Sequence, residues 1–230
     1  MASATKIAKL ACGGKHEKAA RLSGYTCIAG VDEAGRGSLF GPVFAAAVIL
    51  SPDSPIRGLR DSKLLPPDRR DVLAARIRER AVSWAIGAAD AYEIDRINIY
   101  QAAVLAMKRA IGKLSPVSDY LLTDAVPIDL GLPCEAVVHG DAKVQCIAAA
   151  SILAKTSRDM CMREWDAVFP QFGLARHKGY STDEHMEALR KYGPTLLHRF
   201  SFEPVRLSCS FPVWSGYDEK ADELLQHATA

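Results

Sequence analysis

Several absences narrow this sequence before any motif is considered. No apolar run approaches the roughly 18–20 residues that cross a bilayer, and the longest candidates, such as 44–50, are of strand length. A membrane-spanning helix is therefore not expected. Charge of one sign is also missing. The chain has 29 Lys+Arg against 27 Asp+Glu, a net charge of +2, so polyanion binding by bulk charge is excluded and any nucleic-acid contact must come from local placement. The six cysteines (Cys12, Cys27, Cys134, Cys146, Cys161, Cys209) form no Cys-x-x-Cys pair and have no histidine at zinc-ligand spacing. They read as reduced, mostly buried thiols of a cytoplasmic protein. Repeats and low-complexity tracts are absent too. With 49% apolar and 24% charged residues in 230, the composition is that of a folded globular chain and not a disordered one.

What is present reads as alternating strands and helices. Residues 25–32 are apolar and β-branched up to Asp32, and Glu33-Ala-Gly-Arg-Gly-Ser breaks the run, so a first strand is expected to end at Asp32. Residues 43–50 and 81–89 form two further strands, the short connection between the first two suggesting a hairpin-like meander, and Pro66-Pro67 opens a helix that runs through Arg80 between the second and third. A second helix is expected over 99–114, then short strands at 120–124 and 136–139. A long helix over 143–169 follows, with Asp141 at its mouth, and a last one over 182–192 is capped by Thr182 or Ser181. The fold class is thus α/β, with one mixed domain. Residues 1–24, basic apart from Glu17 and without the apolar stretch of a secretory signal, are expected to be a mobile arm. The domain is expected over 25–204 and a tail over 205–230, which carries Phe211, Trp214 and Tyr217.

Four acids fall at element ends: Asp32, Glu33, Asp124 and Asp141. Carboxylates this close to apolar runs are tolerated when paired, protonated or bound to a cation. Divalent ions reverse the mutual repulsion of clustered carboxylates, and oxygen-only ligands suit Mg²⁺ or Mn²⁺. Two such ions provide a route to phosphodiester hydrolysis. Taken singly, Asp141 is equally a helix N-cap and Asp124 the polar end of a strand. Neighbours on a regular strand face opposite sides, so Asp32 and Glu33 share a site only if the strand ends there.

The segment Ala29-Gly-Val-Asp-Glu-Ala-Gly-Arg-Gly-Ser38, followed by Gly41-Pro42-Val43, resembles the opening signature of the type 2 ribonuclease H family, ribonuclease HII. Asp61-Ser-Lys63, Glu93-Ile-Asp-Arg-Ile-Asn98, Leu122-Thr-Asp124, Gly140-Asp141, Ala149-Ala-Ser-Ile-Leu-Ala-Lys155, His177-Lys-Gly-Tyr180 and His198-Arg-Phe-Ser-Phe202 match it in the same order. The resemblance implies a ribonuclease H-like fold, with a mixed five-stranded sheet flanked by helices and a helical C-terminal portion. It also implies a monomeric endonuclease that uses Mn²⁺ or Mg²⁺ at Asp32, Glu33, Asp124 and Asp141. Such an enzyme hydrolyses the 5′ side of ribonucleotides in RNA–DNA hybrids and in duplex DNA, leaving 3′-hydroxyl and 5′-phosphate ends, and removes ribonucleotides from DNA.

On the same resemblance Gly35, Arg36 and Gly37 match the ribonucleotide-sensing loop, whose glycines let main chain approach a 2′-hydroxyl. Tyr180 matches the tyrosine that packs beside the ribonucleotide. Lys63, Ser151, Lys155 and Lys178 are candidate phosphate contacts, although Ser151 and Lys155, four apart, also read as the polar side of one helix. A replication clamp is an expected partner of the tail. One departure stands out: after the third carboxylate the family usually shows Gly-Asn, and this chain has Ala125-Val126. A proofreading-type exonuclease, the competing reading, pairs Asp and Glu one residue apart on its first strand, whereas here they are adjacent. A silent binding module would lack one of the acids, and none is missing.

Overall fold

The structure is a computed structural model that describes residues 12–209. The chain gathers into two compact units. The first holds 12–36, 43–89 and 103–161, and the second holds 37–42, 90–102 and 162–209.

The first unit is built on a five-stranded mixed sheet. Its strands are β1 (Ile28–Ala34), β2 (Val43–Leu50), β3 (Ala81–Ala89), β4 (Tyr120–Asp124) and β5 (Cys134–Val137), in the order β3-β2-β1-β4-β5. β1 and β2 pair antiparallel as the expected hairpin, β3 adds antiparallel to β2, β4 joins parallel to β1, and β5 joins parallel to β4. β1 continues through Ala34, with Asp32 opposite Ala46 and Glu33 opposite Ala45, so the expected stop at Asp32 is corrected. The ladder to β2 outlasts the apolar run, because hydrogen bonding to a paired strand does not depend on side-chain polarity.

Both faces of the sheet are covered by helices. On one face lies helix Gln145–Val168, in which Ala148–Ala150 and Ile152–Ala154 are fully buried and pack with Ala46 and Val48 of the sheet and Leu73, Ala74 and Ile77 of helix Pro67–Arg80. The first half of this helix is apolar on nearly every side, the pattern of a helix segment enclosed in a core. Its approach depends on Gly30, where a Cβ would fall on the backbone of Cys146 and Ile147. On the opposite face, Gly87 lets β3 approach the backbone of Ala106 and Ala110.

The expected helix over 99–114 is the second half of a longer one, Ala91–Ile111, broken at Asn98, whose φ of 64° is not helical. The long helix starts at Gln145 and not at Lys143. Asp141 belongs to a separate short turn, Gly140–Lys143, because Val144 is extended (φ −118°, ψ 126°) and pairs with Gly13. The supposedly mobile arm is folded from Cys12 onward. Helix Lys15–Leu22 buries Ala20, and Glu17 accepts a hydrogen bond from the Cys146 amide at 3.0 Å, satisfying one of the open donors at the start of the long helix. Residues 1–11 of the arm, and Phe211, Trp214 and Tyr217 of the tail, lie outside the described residues.

The second unit is helical and aromatic. Besides the end of the long helix it holds Leu174–His177, Asp183–Tyr192 and Glu203–Leu207. Thr182 caps Asp183–Tyr192 as expected, its hydroxyl accepting from the His185 amide. Phe40 and Phe172 flank His198, with ring centroids 4.9 Å apart for Phe40–His198 and 4.8 Å for Phe172–His198, and Trp165 and Phe169 pack edge-on against Phe40. Asp95 accepts from the amides of Phe200 and Ser201, each at 2.9 Å, and fixes the turn after His198.

Candidate active site

The fold brings Asp32, Asp124 and Asp141 together from the middle strand, its parallel neighbour and the short turn before the long helix. One carboxylate oxygen from each lies within 4.8 Å of the others, the only such set of metal-ligating groups among the described residues. Asp32 and Asp141 are each 5% exposed, so the cluster sits at the edge of the core and not in bulk water. Three supports hold it. The Asp32 carboxylate accepts from the Glu33 amide at 2.8 Å and is met by the Ser151 hydroxyl, which also contacts Ser62 Oγ at 2.9 Å. Asp124 accepts from the Gly140 amide at 2.7 Å. The main-chain carbonyl of Asp141 accepts from the Cys12 thiol at 3.2 Å.

Electrostatics makes the cluster a favourable place for a cation. Burial, and then the neighbouring carboxylates of Glu33 and Asp124, push Asp32 well above the usual carboxylate range. Asp141 is raised by burial and by Asp61 and Asp124, against the lowering pull of Lys63. Burial also raises Glu33 despite Arg36, whose guanidinium lies 3.4 Å from its Oε1. Glu33 is outside the three-carboxylate set, as strand alternation requires, yet its Oε2 is buried with no hydrogen-bond partner. Three converging carboxylates, two of them raised, and an orphaned buried carboxylate oxygen beside them suit hard divalent cations with oxygen ligands.

The remaining candidates are distributed between the two units. In the first, Lys63 extends its exposed ammonium to 4.0 Å from Asp141 Oδ2. Burial alone would lower its pKa, but Asp141, Asp61, Asp32 and Asp124 raise it. Lys155 is already committed, its ammonium 2.6 Å from Asp159, which Arg70 also contacts at 3.0 Å. Gly35 has φ +95°, and its missing Cβ leaves room for Arg158, a fully buried arginine whose Cζ would be 2.8 Å away. In the second unit Gly37 lies against Tyr180, a Cβ there being 3.8 Å from the ring. Lys178 is left-handed at φ 55°, and its ammonium bonds the Ala175 carbonyl.

Arg158, Ser62 and Cys12 support these residues and escaped the sequence reading. For Arg158 a signal existed: a charge within an Ala/Leu-rich helix has to find a partner or a ligand. The other two support the site through contacts distant in sequence.

The sequence profile of the family described as Ribonuclease HII matches residues 29–205. A ribonuclease HII of Solibacter usitatus is 60% identical over 205 residues, covering 89% of this chain and 90% of that one. That of Koribacter versatilis is 53% identical over 199 residues, covering 86% and 78%. Among solved structures, ribonuclease H2 from Pyrococcus horikoshii shares the fold at a TM-score of 0.68 and 24% identity, over 80% of this chain and 97% of that one. The RNase HII in a PCNA complex from Archaeoglobus fulgidus superposes with a TM-score of 0.62 at 26% identity, over 77% and 96%.

Proposed function

The chain belongs to the ribonuclease HII family and is a metal-dependent endoribonuclease of RNA–DNA hybrids and of ribonucleotides embedded in DNA; we propose that it cuts on the 5′ side of the ribonucleotide, leaving 3′-hydroxyl and 5′-phosphate ends. The observation that carries this is the convergence of Asp32, Asp124 and Asp141. Those three would hold Mn²⁺ or Mg²⁺, with Glu33 as the fourth carboxylate. Bound there, divalent cations supply the charge that neutralises the scissile phosphate and the polarisation that makes water a nucleophile.

The other roles belong to the chain's own side chains. Ser151 bonds the Asp32 carboxylate and holds it in its orientation, and the exposed ammonium of Lys63 meets the phosphate backbone as a mobile point charge. Lys155 serves by fixing Asp159, and Lys178 is assigned to phosphate. Arg36 and the main chain of Gly35 and Gly37 read the 2′-hydroxyl, while Tyr180 packs against the sugar beside it. The cellular role is removal of ribonucleotides from DNA in the cytoplasm by a monomer. A sliding clamp is the proposed partner of the tail, an idea supported by the clamp complex of the archaeal relative.

Purified full-length chain with a duplex containing one ribonucleotide tests the reading. Cleavage is expected with Mn²⁺ or Mg²⁺, none with a chelator, and a 3′-hydroxyl on the upstream fragment. Cleavage on the 3′ side, or undiminished cleavage in chelator, would overturn it.

A further inference from the structure

The second unit contains three histidines that the cleavage chemistry does not use. His185 and His198 have no exposed surface, and His177 stacks on His185 with centroids 4.7 Å apart. Burial pulls His185 down to about 4 and His198 to about 3, so both rings are neutral and each offers one donor and one acceptor.

Their partners then dictate which nitrogen carries the hydrogen. The Thr195 amide, 2.9 Å from His198 Nδ1, can only donate, so that nitrogen is the acceptor and the hydrogen of His198 sits on Nε2. His198 Nε2 faces His185 Nε2 at 3.2 Å and donates to it. His185 therefore carries its hydrogen on Nδ1, which lies 3.0 Å from the carbonyl of Tyr180, a group that can only accept. The two ends, fixed by backbone chemistry, agree on one direction through the whole chain. His177 is oriented in the same way: its Nδ1 accepts from the Gly179 amide at 3.2 Å, and its Nε2 donates to the Phe172 carbonyl at 2.6 Å.

The His185 bond to the Tyr180 carbonyl and the Gly179 bond to His177 both hold the segment that carries Tyr180. Lys178 and Gly179 are both left-handed, at φ 55° and 78°, and such a turn has other conformations available unless something holds it. The Leu39 amide donates to the Gly179 carbonyl at 2.8 Å, and Gly37 lies under the Tyr180 ring.

We propose that His185 and His198 are positioning residues for substrate discrimination, forming a one-way hydrogen-bond relay, Thr195 to His198 to His185 to the Tyr180 carbonyl, that holds the phenol beside Gly37. The proposal rests on the sensing role given to Tyr180 above. It extends that role from one exposed aromatic to a buried device that sets its place. Because each ring must be both donor and acceptor, an apolar residue of similar volume fills the space but breaks the relay.

Two measurements on the full chain test it. Imidazole nitrogen shifts of the isotope-labelled protein should report His198 protonated on Nε2 and His185 on Nδ1. The opposite tautomer at either ring overturns the relay, whatever the activity.

The second is the ratio of kcat/KM for a single embedded ribonucleotide to that for a uniform hybrid. His185→Leu should lower the ratio about fivefold, the effect of one ordinary hydrogen bond. His185→Asn, whose amide still reaches the Tyr180 carbonyl, should stay within about twofold of the parent. Equal loss in both variants means packing alone and sinks the proposal. In a Tyr180→Ala background His185→Leu should change the ratio no further, and a further change would show that it acts elsewhere. If Tyr180→Ala alone leaves the ratio unmoved, the sensing role fails and the proposed purpose fails with it, while the tautomers still decide whether the relay exists.

Discussion

Replacing Asp32 with asparagine should make the cation-free protein more stable and inactive at the same time. One carboxylate oxygen each from Asp32, Asp124 and Asp141 lies within 4.8 Å of the others. At an effective dielectric near 20, each fully charged pair at that distance costs about 3.5 kcal/mol. Two pairs involving Asp32 would cost about 7 kcal/mol, but proton uptake relieves part of this at about 1.4 kcal/mol per pH unit.

The pH sign follows from the raised pKa. The ordinary value for an aspartate is 3.8, and burial with Glu33 and Asp124 lifts Asp32 well above that in the folded state. Between those values the folded chain holds a proton that the unfolded chain has released. The favourable contribution is therefore complete below the unfolded value and is lost as pH rises through the folded one. In the Asp32→Asn variant the amide never carries the charge, and its oxygen still accepts from the Glu33 amide and Ser151, so the local hydrogen bonds survive. At about pH 8 in chelator the variant should exceed the parent by about 1–3 kcal/mol, with the gap shrinking toward about pH 5. Urea unfolding measures it, and for a chain of this size each kcal/mol corresponds to about 2–4 °C in Tm. Added Mn²⁺ should then stabilise the parent by about 2.7 kcal/mol at a hundredfold excess over Kd, and the variant far less. A variant less stable than the parent at high pH in chelator, or equally stabilised by Mn²⁺, would refute the reasoning.

Two further substitutions test the loops that frame the cluster. Gly35→Ala combines a left-handed backbone with a clash against Arg158, and should cost about 2–4 kcal/mol in urea unfolding. In an Arg158→Ala background the clash disappears and only the backbone penalty of about 1–2 kcal/mol should remain, so strict additivity of the two changes would contradict the packing argument. Ala125→Gly should act oppositely. Ala125 holds φ 57° immediately after Asp124, so relief of about 1–2 kcal/mol of left-handed strain should outweigh the about 0.4–1 kcal/mol that glycine adds to unfolded-chain entropy, and any net loss of stability would count against it.

The position of Ala125 also shows how sequence and structure inform each other. The departure from the family's usual Gly-Asn was visible in the sequence, but its cost was not, because only the backbone reveals a positive φ. Alternation in a strand places Asp32 with Gly30 on the face of the long helix and turns Glu33 away. The period of two is a local property and was legible, but the continuation of β1 past Asp32 was not, because it depends on the ladder to β2. Asp141 was legible as a residue but misplaced in its element, since the break at Val144 depends on pairing with Gly13 more than a hundred residues earlier. Lys155 stood between two readings, and its partner Asp159, one helical turn on, was available in the sequence as an i,i+4 pair.

Arg158 and the histidine relay belong to a different class. A charge within an apolar helix signals that Arg158 needs a partner, but its place under Gly35, like a tautomer set at Thr195 and used at Tyr180, depends on contacts that no local pattern encodes. The motifs containing Gly35, Tyr180 and His198 were each readable alone. Their coupling is tertiary: His198 meets Tyr180 only through His185, a residue that no motif singled out. Changes at His185 should therefore alter which duplex is preferred without touching any carboxylate, and this separates the discriminating machinery from the cutting machinery within one chain.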